Sequence, residues 1–275
     1  MKWLALIVII LISCQRNTED VSCCSDTGDN PKDESIKLKE STKKLNDSIE
    51  KVFLSKGLVD ITSVNSKIQI DLKYASTRNF MKTVLYDTLR KVYLQREVAE
   101  RLSKCQDFLD SIRPGYRLLV FDGVRPQQVQ KEMWDALDSI PRHRRGKFVS
   151  NPALGSVHNF GAAVDLTIID TKGNQLDMGA GYDDFREIAF PKLESHFLST
   201  GELSANQVNN RRLLRRVMSS QKFNNIPSEW WHFNAYSRIA ASHKFQLLST
   251  ESGSVKWFPI SYKKDSVLVE ENETP

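Results

Sequence analysis

No hydrophobic run in this sequence of 275 residues is long enough to span a bilayer comfortably; the longest covers residues 3–12. Cysteine is scarce, with four residues and no Cys-x-x-Cys pair, which excludes redox cycling through such a pair and a thiolate zinc ribbon. None of the five histidines begins His-Glu-x-x-His, so the helix-borne zinc site of many metalloproteases is excluded. Gly-x-Ser-x-Gly is missing too, and with it the usual serine-nucleophile elbow. There is no internal repeat and no low-complexity block. The net charge of +5 is modest and spread out, without a zinc finger, an aromatic-plus-basic ladder or a Gly-rich basic tail, so no nucleic-acid partner is expected.

What the N-terminus does hold is Lys2, the short apolar run and then Leu11-Ile12-Ser13-Cys14. That pattern resembles a bacterial lipoprotein signal over residues 1–14, with Cys14 as the lipidated residue anchoring the protein to a membrane. A plain secretory signal or an N-terminal anchor is the alternative, and each places the body outside the cytoplasm, in a periplasm or cell envelope. Residues 15–45 are polar and nearly free of large apolar side chains, as in a flexible tether. The folded domain is expected over 46–262, with a charged tail at 263–275.

Within that body Ile68, Ile70 and Leu72 alternate with polar residues, predicting a strand inside 59–72. Leu94, Val98, Leu102, Cys105, Leu109 and Ile112 form a helical stripe over 93–112, which makes Cys105 a packed thiol. A strand is predicted at 117–121 and a helix from Pro126 to about Ile140. Residues 142–147 read as an exposed basic loop. Ser204-Ala205-Asn206-Gln207 has the form of a capping box, opening a helix whose Arg211, Arg212, Arg215 and Arg216 are expected on a solvated face. Strands and helices mix without a βαβ rhythm, so the fold class is α+β: a single domain with a central, mostly antiparallel sheet flanked by helices.

Chemistry concentrates in two places. In residues 156–167 an imidazole, His158, stands seven positions before Asp165, which begins an apolar strand. An unpaired carboxylate is costly to bury, so Asp165 needs a positive neighbour, either an arginine or a metal ion. Seven extended residues span about 23 Å, so the loop has to fold back, and Gly161 suits the turn. The second place is Glu229-Trp230-Trp231-His232-Phe233, where a spacing of three shares a face on a helix but not on a strand. A tryptophan-rich core segment is its bland reading. Taken together, His158, Asp165 and His232 offer three N/O ligands with one coordination position open, the pattern of a catalytic zinc, though the donor types also admit iron or manganese. Glu229, beside the third ligand, is then the natural general base for a metal-activated water.

Ser156-x-His158-x-x-Gly161-x-Ala163-x-Asp165, followed by Glu229-x-Trp231-His232, resembles the zinc D-alanyl-D-alanine peptidases, above all the D-alanyl-D-alanine dipeptidases of vancomycin-resistance systems. Lys73-Tyr74-Ala75-Ser76-Thr77, Phe121-Asp122-Gly123-Val124-Arg125-Pro126, Met178-Gly179 and Asn210-Arg211-Arg212-Leu213 agree with that family, so the likeness covers about residues 60–235. The resemblance implies hydrolysis of a D-alanyl-D-alanine dipeptide, with one Zn2+ on His158, Asp165 and His232 at the sheet edge and Glu229 as general base. It also implies that Arg125 stabilises the oxyanion, that Asp183 meets the substrate ammonium with Asp184 as its rival, and that Ser156 and Tyr74 line the substrate pocket. A D,D- or L,D-carboxypeptidase of the same family, or a silent zinc-binding domain, would share much of this pattern. The tether, the basic loop and the tail are additions to it.

Overall fold

The computed structural model describes residues 49–86 and 89–248. The signal, the tether, the tail and the boundary positions predicted for them lie outside these residues. No helix among the described residues is long and apolar enough to cross a membrane.

The fold is built outward from β5, Ala163–Ile169, in which every residue but the last is buried. A strand covered on both faces and rich in Val, Leu and Ile belongs inside a sheet. It lies in the middle of a five-stranded sheet of order β2-β4-β5-β7-β6, where β2 is Gln69–Ile70, β4 Arg117–Asp122, β6 Asn224–Asn225 and β7 His232–Asn234. Only β2 and β4 run parallel; the other pairs are antiparallel. A two-stranded antiparallel ribbon, β1 (Leu58–Asp60) with β3 (Tyr93–Gln95), stands beside it. The architecture is the α+β arrangement expected.

Helix α2, Arg96–Ile112, buries the predicted stripe of Val98, Leu102, Cys105 and Leu109, while Leu94 belongs to β3 because the chain enters the helix only after Gln95. Gln106 is the one polar residue on that buried face. Its amide donates to the Tyr116 carbonyl and accepts from the Leu118 amide, so it ties the helix to the start of β4. The strand predicted inside 59–72 is instead two short strands around a helical turn, α1 (Ile61–Val64). Asp60 caps that turn by accepting from the Thr62 amide at 2.9 Å, a side-chain bond that competes with ladder pairing.

Three further expectations change. The helix after Pro126, α3, covers Gln127–Ala136 and stops short of Ile140. The basic loop is partly a helical turn, α4 (Arg142–Arg145), and its Arg145 is buried, donating to the carbonyls of Ile140 and Trp134. Two later helices are α5 (Glu194–Thr200) and α6 (Ala205–Ser219), the latter opened by the Ser204–Gln207 capping box as read from the sequence. On α6 the arginines do not all face solvent. Arg211 is 1% exposed, its Nε donating to the Met178 carbonyl at 2.6 Å and its Nη2 to that of Ile188 at 3.0 Å, so it fastens the loop that precedes the site. Arg215 makes a bidentate pair with Glu194 of α5. The last helix, α7, spans Arg238–Lys244.

Candidate active site

His158 and Asp165 meet because the chain turns sharply between them. Residues Val157–Phe160 form one 3-10 turn, capped by Ser156, whose hydroxyl accepts from the His158 amide while Asn159 returns a bond to the Ser156 amide. Gly161 ends the turn at φ 65°, and a Cβ there would stand 2.4 Å from Leu58 Cδ2. Left-handed backbone in so tight a place requires glycine. The Gly161 carbonyl then accepts from the Gln95 amide, fixing the loop to β3.

His232 arrives by sheet register: it sits directly opposite Asp165 in the β5–β7 pair. Both strands are interior, so the cluster is not at the sheet edge, as the sequence reading had it. A deeply buried carboxylate can be surrounded by donors there, which an edge strand does not offer. Glu229 lies in the turn before β7, and Asn225 pins that turn by donating to the carbonyls of Glu229 and His232, both at 2.8 Å. The bend resolves the spacing question: Glu229 Oε2 is 3.8 Å from His232 Nδ1.

Three atoms converge. His158 Nε2, His232 Nδ1 and Asp165 Oδ1 are separated by 3.1, 3.1 and 3.2 Å, with all three residues buried. The other ring nitrogens fix the tautomers. His158 Nδ1 is 2.7 Å from the Gly123 carbonyl, which can only accept, and His232 Nε2 is 2.8 Å from Asn234 Oδ1. Each ring therefore carries its proton on the far side and turns a bare lone pair inward. Two lone pairs and a carboxylate oxygen this close repel one another unless a cation sits among them. Without a metal a proton is drawn in: burial opposes a charged His232, yet the hydrogen bond and charge of Asp165 outweigh it and raise its pKa.

The cluster fits a metal ion on donor chemistry and on size. Tetrahedral coordination at bond lengths of about 2.0–2.1 Å sets ligand atoms about 3.3 Å apart, close to the edges seen. Among the described residues it is the one group of three or more His, Cys, Asp or Glu side chains so arranged.

The second oxygen of Asp165 is held as well. Its Oδ2 accepts from the Tyr182 hydroxyl at 3.1 Å and from Arg125 Nη2 at 3.3 Å. Of the two partners read for Asp165, the arginine is present on Oδ2, while Oδ1 faces the two imidazoles where a metal ion would fit. Arg125 is buried and more committed than the sequence suggested, since Nε donates to Asp122 Oδ2 at 2.8 Å and Nη1 to Gln130 Oε1 at 3.1 Å. Asp122 faces the site because β4 bulges between Val120 and Asp122, leaving Asp122 opposite Asp165. The Tyr86 hydroxyl donates to its other oxygen at 2.7 Å. One guanidinium between two buried carboxylates leaves the pocket short of positive charge, a further pull on a cation.

A cavity of about 300 Å³ opens beside the triangle, lined by Tyr74, Arg125, Ser156, Asp183, Glu229 and Arg238 with an apolar wall of Phe80, Phe148 and Phe185. It is at the small end of ligand pockets, which run from about 300 to 1,000 Å³. Asp183, at φ 60°, accepts from the Tyr74 hydroxyl at 3.1 Å and the Phe80 amide at 3.4 Å. Its rival Asp184 pairs instead with Arg186, so Asp183 is the carboxylate that faces the cavity. Burial foremost, helped by the charge of Asp165, pushes the Asp183 carboxyl up to about 8. Burial likewise raises Glu229, with Asp165 adding to the shift and His232 opposing it.

Every site residue named from the sequence is therefore in or against one pocket. Tyr182, Gln130, Asn225 and Asn234 were not singled out. Tyr182 adjoins Asp183, which was read, while the amides had no signal of their own.

The chain is similar to known proteins of one family. The family profile described as D-ala-D-ala dipeptidase matches residues 54–248. The D-alanyl-D-alanine dipeptidase of Escherichia coli (strain K12) is 35% identical over 176 residues, covering 64% of this chain and 83% of that protein. Its counterpart in Enterococcus faecium is 30% identical over 192 residues, covering 64% and 90%. A solved structure of VanYB in complex with D-alanine-D-alanine aligns at 16% identity and a TM-score of 0.33, over 55% of this chain and 76% of that one. With its His/Asp/His cluster and a family match across nearly all the described residues, this chain belongs to the D-ala-D-ala dipeptidase family of peptidases.

Proposed function

We propose that the protein cleaves the D-alanyl-D-alanine dipeptide with one zinc ion held by His158, Asp165 and His232. The observation that carries this reading is the triangle of three buried donor atoms 3.1–3.2 Å apart, facing a small cavity. Bound zinc would supply a Lewis acid that acidifies water to a pKa of about 7 and polarises a carbonyl. Glu229, 3.8 Å from His232 and raised by burial, accepts the proton that the attacking water gives up and passes it to the leaving amine. Arg125, held rigid by Asp122 and Gln130, sets fixed positive charge beside the carbonyl oxygen as negative charge develops there. Asp183 takes the substrate's ammonium, with Tyr74 and Ser156 shaping the pocket around it. The lipoprotein-type start and Cys14 support an extracytoplasmic, membrane-anchored setting for this reaction, where wall-derived peptides occur.

Replacing Glu229→Gln tests the mechanism. The variant is expected to keep one equivalent of zinc and to lose about 10²- to 10⁴-fold in kcat, the usual worth of a general base. Normal hydrolysis by that variant rules out the role. N-acetylation of the dipeptide removes the charge that Asp183 meets and is expected to abolish cleavage. Turnover of the acetylated substrate points to a D,D- or L,D-carboxypeptidase instead.

A further inference from the structure

Two ionisable side chains in the cavity have no partner of opposite sign. Asp183 on one wall is capped by a hydroxyl and an amide, neither of them a cation. Arg238, the first residue of α7, lines the same cavity, is solvent-exposed, and makes no ion pair or hydrogen bond among the described residues. No ion pair joins it to Asp183, so the space between them is available to a ligand carrying both signs. The other cationic groups lining the cavity are committed: His158 and His232 face the triangle, and Arg125 is bound by Asp122, Gln130 and Asp165. Among the described residues no lysine lines the cavity.

A free dipeptide is a zwitterion, with an ammonium at one end and a carboxylate at the other, straddling the bond to be cut. We propose that Arg238 binds the C-terminal carboxylate of the substrate, completing a charge pair of which Asp183 is the other member. This rests on the dipeptidase reading above and names the group that reads the far end of its substrate. Chain connection favours it. Arg238 follows β7 by four residues, Asn234 holds His232 and also lines the cavity, and Ser237 fixes the start of α7 by accepting from the Ala240 amide. The guanidinium is thus carried on the same short segment as His232. Its planar fork matches a carboxylate bidentately, which an ammonium cannot do.

The test compares D-alanyl-D-alanine with its C-terminal amide on the zinc-loaded wild type, Arg238→Gln and Arg238→Lys. Wild type is expected to prefer the acid. Arg238→Gln should raise KM for the acid about 10- to 100-fold while kcat changes little, as expected for loss of a charge-assisted bidentate contact. It should leave kcat/KM for the amide within about twofold, and Arg238→Lys should recover part of the lost affinity. An equal loss on acid and amide, or no loss on the acid, overturns the assignment while leaving the dipeptidase reading intact. Failure of wild type to cleave either substrate overturns both.

Discussion

Gly161→Ala is the most informative single change, because it strains the turn that brings His158 back to Asp165 without touching either ligand. A non-glycine residue in the left-handed region costs about 1–2 kcal/mol. The new methyl would also lie 2.4 Å from Leu58 Cδ2 and 3.3 Å from the Gln95 amide nitrogen. Leu58 is fully buried and cannot step aside cheaply, and overpacking of this kind costs about 1–3 kcal/mol. The total, roughly 3 kcal/mol, corresponds to a fall in Tm of about 6–12 °C for a domain of this size. The assay is urea denaturation of the apoprotein beside zinc titration against a chelator, and weaker zinc binding should accompany the lost stability. Leu58→Ala removes the clashing atom, so the double variant should be less destabilised than the sum of the singles by about 1–3 kcal/mol. A Gly161→Ala protein within about 0.5 kcal/mol of wild type, or strictly additive singles, refutes the reasoning.

Other expectations follow from the same contacts. Asp165→Ala removes both a ligand and the charge facing two imidazoles, so zinc stoichiometry by metal analysis should fall to near zero along with activity. Tyr182→Phe removes the hydroxyl that holds Asp165 Oδ2, and zinc affinity should drop about 10- to 100-fold, as is usual when a ligand loses its orienting partner; an unchanged chelator titration contradicts this. Asp183 titrates at about 8 in the fold against an ordinary value of 3.8, so the native state binds the extra proton between those values. Its contribution to stability is therefore full below pH about 4 and is lost as pH rises through about 8. Measured by urea midpoints of the apoprotein, wild type minus Asp183→Asn should decline across that window, and a flat or rising difference shows the carboxyl to be unshifted.

Much of the site was legible because its chemistry depends on residue types that are costly to place by accident. Asp165 within an apolar strand and Gly161 at the point of reversal both announced a constraint, and each sits where the constraint predicts. The stripe of α2 was equally plain, since its period is local. What local pattern could not show was direction in the chain's tertiary contacts. Asp60 opens a helical turn ahead of the expected strand with one side-chain bond to Thr62, and Arg211 and Arg145 are drawn inward by carbonyls earlier in the chain. Asp122 ends β4, and the bulge in that strand sets it facing Arg125. Glu229 and His232 were ambiguous at a spacing of three until Asn225 bent the segment.

The pairing of Asp165 with His232 across β5 and β7 has a consequence for assembly of the chain. If these strands slipped by one position, Val164 or Leu166 would face His232, and the imidazole would turn to the opposite side of the sheet. Such a misaligned chain offers no third donor. An ion held by these three side chains would bind the correctly zipped sheet alone and favour it over its near-misses by mass action, so metal loading would also proofread strand alignment.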